Sequence, residues 1–324
     1  MTGRWAREIM GRSMSRRDFL KVAGAVAIVT ATGTTGCSSP AGSATTAPSP
    51  ATVPAKRSAA GAGKLIVSTD TDPGKAVDKA LDAYGGLTGL IRQGDKVLIK
   101  PNFTFARTPA QGAANHPDVL ARIALRCREA GASEVVLVDH TIDSGALCLQ
   151  KSGIKAGLGA AGFTALCIND KGDFEECDVP GTVLKSTQIA KRLADADVFI
   201  NAPVIKSHGN TLMTAGMKNL MGLIWDRQRP FHDPGPLDDC IVDLAGLLKP
   251  DLVIADAYRV LKTNGPGGPG DVIEPHEVIV SDDTVAADAY AATLLGLKPE
   301  EVGHIRLAAE AGLGKMDLLG LTRV

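Results

Sequence analysis

The feature that most constrains this chain is an alternation of short aliphatic runs with segments of helical spacing. The runs are Lys64–Ser68, Lys96–Lys100, Glu134–Asp139, Phe163–Ile168, Asp197–Asn201, Leu252–Ala255 and Glu277–Ser281. Between them, helices are expected over 74–84, from His116-Pro117-Asp118 to Gly131, over 150–160, and over Ile189–Ala194, Leu212–Leu223 and Leu237–Leu248. Thr284–Leu295 and Pro299–Ala311 close the series. An unbroken apolar run is too short to bury itself as a helix and reads as a strand covered on both faces. Strands alternating with helices give an α/β fold, a mostly parallel sheet with helices on both faces and Rossmann-like layering. The dinucleotide fingerprint of glycines is absent. No Pro/Ser linker divides residues 64–324, so they are expected to form a single α/β domain, with room for an insertion near 140–190.

The chain ahead of this region has a different chemistry. Residues 1–21 carry six basic groups against Glu8 and Asp18, and an uncharged stretch, Val22–Gly36, follows. A basic segment before a short apolar run is an export signal, and this run is too short and too rich in Gly and Thr to span a bilayer. Ser15-Arg16-Arg17-Asp18-Phe19-Leu20-Lys21 resembles a twin-arginine signal, the address of a pathway that exports folded proteins. Residues 1–36 are therefore expected to be a signal peptide. Gly36-Cys37 resembles a lipoprotein cleavage site, although Thr34 stands where a large aliphatic is usual; cleavage nearby without lipidation is the alternative. Eight Ala, four Pro and eight Ser or Thr among residues 37–63 predict a disordered tether, because such a segment buries too little to offset its ordering entropy.

Charge and cysteine usage narrow the function classes. The whole chain has a net charge of −1, and beyond residue 36 there are 29 basic against 34 acidic residues. That balance argues against a general nucleic-acid binder, which needs a basic surface. Cys127, Cys148, Cys167, Cys177 and Cys240 show no CxxC spacing, which disfavours a zinc ribbon or an iron–sulfur module. They are expected as buried, reduced residues, with Cys167–Cys177 the one pair close enough in sequence to suggest a disulfide across a turn.

In open α/β sheets, ligands sit beyond the C-terminal ends of the strands. Polar groups stand at five such ends: Lys100-Pro101-Asn102, Asp139-His140, the run from Asn201 to Asn210, Asp256, and Ser281-Asp282-Asp283. Lys100-Pro101-Asn102, Pro203–His208, Met217-Lys218-Asn219-Leu220-Met221-Gly222 and Ser281-Asp282 through Asp288-Ala289 resemble the bacterial and archaeal uncharacterised-domain family numbered 362. The likeness spans about residues 64–312. Some relatives carry a ferredoxin-like cysteine module that this chain lacks, so the resemblance implies no cluster here. Nor does it imply a reaction, and mechanism rests on the residues.

Lys206 and His208 are two apart and share one side of an extended segment, with Gly209 allowing close backbone approach. Thr211 would cap the following helix, which carries Lys218 and Asn219 near its middle. Three lysines in one crevice repel unless they meet an anion, so a carboxylate or phosphate ligand is expected. The structural alternative pairs Lys206 and Lys218 with Asp139, Asp256 or Asp283. His208, Lys206 and Lys218 are the candidate catalytic groups. Lys100, Asn102, Asn210 and Asn219 are candidate substrate contacts, as are Arg229 and His232 on a polar loop and Asn264 in the glycine-rich Asn264–Gly270 turn. A divalent metal on His208, Asp139 and Asp256 would have to be assembled from separate strand ends, because no close ligand pair exists. His208 has acid–base work or plain hydrogen bonding as alternatives. Met213, Met217 and Met221 read as core packing. The leading expectation is an exported enzyme for a small anionic substrate. The alternatives are a non-catalytic binding or accessory protein of an exported redox system and a cell-envelope interaction protein.

Overall fold

The strands arise where the aliphatic runs predict them, and alternate residues feed two separate cores. In the computed structural model the described residues are 53, 55–57, 63–226 and 236–324, all within one compact unit. Chain order begins β1 (Leu65–Thr69), α1 (Pro73–Tyr84), β2 (Lys96–Lys100), α2 (Pro117–Glu129) and β3 (Glu134–Asp139). Then come α3 (Gly145–Lys151), α4 (Ile154–Ala160), β4 (Ala165–Cys167), β5 (Phe174–Asp178), β6 (Ser186–Ala190), β7 (Val198–Asn201), β8 (Val204–His208) and β9 (Leu212–Thr214). The remainder is α5 (Gly216–Asn219), α6 (Leu237–Leu247), β10 (Leu252–Leu261), β11 (Val272–Ile273), β12 (Glu277–Ser281), α7 (Thr284–Leu295), α8 (Gly303–Glu310) and β13 (Leu321–Arg323).

Helix starts follow local chemistry. Asp72 accepts from Lys75 N ahead of α1, His116 accepts from Asp118 N ahead of α2, and Asp283 accepts from Val285 N and Ala286 N ahead of α7. Pro73 and Pro117 sit in the first turns, where a missing N–H costs nothing.

The main sheet runs β13-β1-β12-β10-β7-β2-β3-β4. Pairings β10–β7, β7–β2, β2–β3 and β3–β4 are parallel, whereas β12 is antiparallel to both β10 and β1. Leu98, Val253 and Ala255 point into one core with α6, α7 and α8. Their neighbours Val97, Ile99, Leu252 and Ile254 point into the other, with α1, α2 and α4. That two-residue alternation between two buried faces is why the strands are apolar throughout. The sheet is mixed but mostly parallel, flanked by helices on both faces.

Three expectations change. The stretch Leu212–Leu223 is not one helix: it is β9, the single turn α5 and a 3-10 turn over Leu220–Leu223. Thr211 therefore caps nothing; its Oγ1 donates to Met213 O. Ile189–Ala194 is the end of β6 and a 3-10 turn, and β5 with β6 forms a separate antiparallel hairpin within the expected insertion. Asp256 does not end a strand, because β10 runs on to Leu261. The expectation of reduced cysteines holds for the five described ones, which are thiols, four of them buried and Cys167 partly so; the alternative Cys167–Cys177 disulfide does not form. Lys56 and Arg57, in the stretch read as a tether, bond to Asp282 O and to the side chains of Asp251 and Asp95.

Candidate functional site

Beyond the C-terminal ends of β2 and β3, two charged residues leave the sheet together. Lys100 Nζ lies 2.8 Å from Asp139 Oδ1, and both side chains are buried. Lys100 also donates to Pro101 O, while Asp139 Oδ2 accepts from Phe103 N at 2.9 Å and Thr104 Oγ1 at 3.3 Å. A buried ion pair is tolerable only when its remaining valences are met; backbone and hydroxyl groups serve Asp139 Oδ2, while Oδ1 has the Lys100 ammonium but no hydrogen bond among the described residues. Gly222 makes the pair sterically possible: a Cβ there would overlap the Asp139 carboxylate and the end of Lys100.

The segment that supplies Gly222 is held from a distance. Ala215 is non-helical, with φ −151° and ψ −143°, and the two following N–H groups, of Gly216 and Met217, donate to Asp288 Oδ1 and Oδ2 at 2.6 and 2.9 Å. Burial pushes the Asp288 carboxyl up to about 6. A Cβ at Gly216 would crowd Asp288 and Thr284, so glycine is required for this approach. The turn delivers Asn219 to the centre of the site. Its Nδ2 donates to Lys100 O at 3.1 Å and Asn201 Oδ1 at 2.8 Å, and its Oδ1 accepts from Asn102 Nδ2 at 2.9 Å and Lys100 Nζ at 3.3 Å. Asn201 Nδ2 closes the chain on Gly216 O.

The third lysine arrives on β8, which pairs in parallel with the second half of β10. Lys206 is 1% exposed, and its Nζ donates to Asn102 Oδ1 at 2.9 Å and Ala113 O at 2.7 Å. Phe105 lies beneath, its ring centre 5.4 Å from Nζ. No carboxylate touches Lys206 among its hydrogen-bond partners. Burial, with Lys100 and Lys218 as positive neighbours, lowers its amine to about 7 despite the opposing field of Asp139.

These groups wall one cavity of about 130 Å³. Lys100, Lys206, Lys218, His208, Asn102 and Asn219 supply its polar lining, with Thr104 and Thr214. Phe105, Ile142, Met221, Gly222 and Pro266 supply the rest, and among the described residues no carboxylate lines it. Ile142, 59% exposed, stands at the mouth, and His208 is half-buried. Lys218 lies 3.2 Å from Met221 Sδ. A pocket with several cations, amide groups and no acidic wall has the electrostatics of an anion site.

The expected residues divide clearly. Lys100, Asn102, Lys206, His208, Lys218 and Asn219 come together. Lys206 and His208 share one side of β8, as their spacing requires. Asn210 is exposed and outside the cavity wall, its N–H donating to His208 Nδ1. Asn264 also falls outside, bonding Pro269 O; its loop contributes Pro266 instead. Arg229 and His232 lie outside the described residues. The metal set does not assemble. Among the described residues no group of three His, Cys, Asp or Glu side chains is placed to hold an ion. Asp139 is engaged by Lys100, while Asp256 accepts from His116 N, Asn115 Nδ2 and Tyr258 N on the far side of Asn115. Nor do the expected structural bridges form as drawn: the carboxylate partner is Asp139, but its lysine is Lys100. Ser281-Asp282-Asp283 is at the wrong edge, because β12 runs antiparallel and Ser281 sits opposite Val253. Thr104, Phe105, Ile142, Thr214 and Pro266 were missed. The first three directly continue the two strand ends already singled out, which was the available signal.

The model of the family described as "Domain of unknown function (DUF362)" matches residues 97–293, more than half of the chain. The twin-arginine translocation signal model matches residues 13–33. The thylakoid-associated protein sll1697 of Synechocystis sp. is 28% identical over 259 residues, covering 78% of this chain and 76% of that protein. Among solved structures, the lactate racemase apoprotein from Thermoanaerobacterium thermosaccharolyticum superposes with a TM-score of 0.44 at 14% identity. That superposition covers 71% of this chain and 56% of the other, so the chain spans little more than half of that protein.

Proposed function

Since the chain belongs to the DUF362 family and carries a twin-arginine export signal, we propose that it is an exported enzyme acting on a small anionic substrate in the three-lysine cavity. The observation that carries this reading is the convergence of Lys100, Lys206 and Lys218 on one cavity whose wall, among the described residues, holds no carboxylate. A carboxylate or phosphate entering there replaces water with the Lys100 and Lys218 ammonium groups, the Lys206 amine and the amides of Asn102 and Asn219. Lys206 and His208 are the groups able to exchange protons with such a ligand, since both line the cavity and Lys206 donates to the neutral acceptors Asn102 and Ala113. Lys218 serves as an electrostatic clamp near Met221. Of the residues expected to hold a divalent ion, Asp139 is engaged by Lys100 and Asp256 by His116, Asn115 and Tyr258, so no step is routed through one. The mature protein works beyond the cytoplasmic membrane, and Cys37 is the candidate attachment point for a lipid.

The test is thermal unfolding of the purified protein with acetate, succinate, phosphate or sulfate, each against chloride at matched ionic strength. At a hundredfold excess over the dissociation constant, a bound anion stabilises by about 2.7 kcal/mol. Lys206→Met is expected to weaken the effective anion by about tenfold or more, the scale of one charge-assisted hydrogen bond. A melting temperature indifferent to every oxyanion would remove the reading.

A further inference from the structure

The cavity holds a feature that anion binding alone does not require: a lysine buried as deeply as any core residue, yet satisfied entirely by neutral acceptors. An amine nitrogen has three positions besides its own carbon. At Lys206 two are spent as N–H donors, to Asn102 Oδ1 at 2.9 Å and Ala113 O at 2.7 Å. In the neutral amine the remaining position is the lone pair, and Lys206 is part of the cavity wall. Lys100 is committed to Asp139, which leaves that carboxylate engaged and keeps a second positive charge close by. The charged and titratable groups around Lys206 are Lys100, Lys218 and Asp139, with His208 two residues along the same side of β8. Desolvation and the two cations favour an uncharged amine around neutral pH.

We propose that Lys206 is the nucleophile of this cavity, condensing with the carbonyl of a small oxo acid whose carboxylate rests on the Lys100–Lys218 side. The inference rests on the anion reading above and deepens it by naming the substrate class. A cavity that pairs cations with a neutral amine complements a molecule bearing a carboxylate and an electrophilic carbonyl together. A carboxylate alone does not use the amine, and a plain aldehyde does not use the cations. The Nζ lone pair attacks the carbonyl carbon, a C–N bond forms, and the carbonyl oxygen takes up a proton to give a carbinolamine. The carbon–oxygen bond then breaks, and both amine hydrogens have left with that oxygen as water, giving an imine. No oxidant or reductant is consumed. His208 lines the same cavity and shuttles the protons between nitrogen and departing oxygen. The small volume, about 130 Å³, suits an acid of a few carbons.

The experiment treats the full mature protein with pyruvate and sodium cyanoborohydride near neutral pH, then measures intact mass and maps the modified peptide. Trapping is expected as one N-linked carboxyethyl group, on Lys206, at least about tenfold faster than on any exposed lysine, which is almost wholly protonated there. Excess phosphate is expected to slow it. Lys206→Arg, which keeps a long donor side chain but stays protonated and cannot condense, is expected to lose the adduct, with folding checked by circular dichroism. Adduct spread over surface lysines, or trapping undiminished in Lys206→Arg, overturns the proposal. Acetate and phosphate cannot form an imine, so their effect on the melting temperature reports on anion binding separately. Stabilisation by both without trapping at Lys206 leaves anion binding standing and rejects the nucleophile. Loss of both rejects the two together.

Discussion

Lys206 is where the chemistry of the site meets the stability of the fold. Its amine falls to about 7 in the folded protein, chiefly through burial, while in the unfolded chain it titrates as an ordinary lysine. Between those two values the native state binds fewer protons than the unfolded state, so this residue adds stability as pH rises. The contribution is complete above the ordinary lysine range and is lost as pH falls through about 7. Wild type is therefore expected to gain on Lys206→Met with rising pH across that window, by up to about 1.4 kcal/mol per pH unit where the slope is steepest. Urea unfolding of both proteins over a pH series measures the difference. A constant gap between the two curves would mean that Lys206 keeps its proton throughout, and the site would lose its neutral amine.

At the scale of elements, the decisive piece is α5, one turn long and held by a residue 72 positions away. Asp288 on α7 receives the N–H groups of Gly216 and Met217 and so sets where Lys218 and Asn219 project. Its carboxyl is raised to about 6, above the unfolded value, so the native state binds the extra proton. The stabilisation is fully present below the ordinary carboxylate range and is lost as pH climbs through about 6. Asp288→Asn has no such proton, and the advantage of wild type over it is expected to shrink by up to about 3 kcal/mol between those limits. Parallel denaturation curves at all pH values would show instead that Asp288 does not titrate in this range. None of this was legible locally. Met213, Met217 and Met221 recur every four residues beside Leu212, Leu220 and Ile224, which is a helical signature. Yet Leu212 has a φ of 63° and Ala215 is non-helical, and together they break the run. The sheet was legible because strands buried on both faces are apolar throughout, and a run of that kind stands out. Its direction was not, since Glu277–Ser281 reads the same parallel or antiparallel. That reversal is what moved Asp282 and Asp283 away from the cavity. Lys100, Asn102, Lys206, His208, Lys218 and Asn219 were found because polar residues at parallel strand ends have one shared place to go.

For the whole molecule, the route of export and the construction of the cavity constrain each other. The cavity needs Lys100 from β2, Asp139 from β3, Lys206 from β8, Asn219 from α5 and Asp288 from α7 at once, so no partial fold possesses it. The five described cysteines are thiols, four of them buried, a state that a reducing cytoplasm preserves and disulfide exchange outside would threaten in any unfolded chain. A pathway that carries folded proteins answers both demands. Replacing Arg16 and Arg17 by lysine is expected to hold the precursor inside the cell, as cell fractionation would reveal. The retained protein should already be folded, resist limited proteolysis, and melt with the same phosphate-induced shift as the exported form. Continued export of the double variant would show that the paired arginines are not what the machinery reads. Retention of a protein that is unfolded and rapidly degraded would show that the fold is completed only after translocation, and the match between the thiols and the route would lose its explanation.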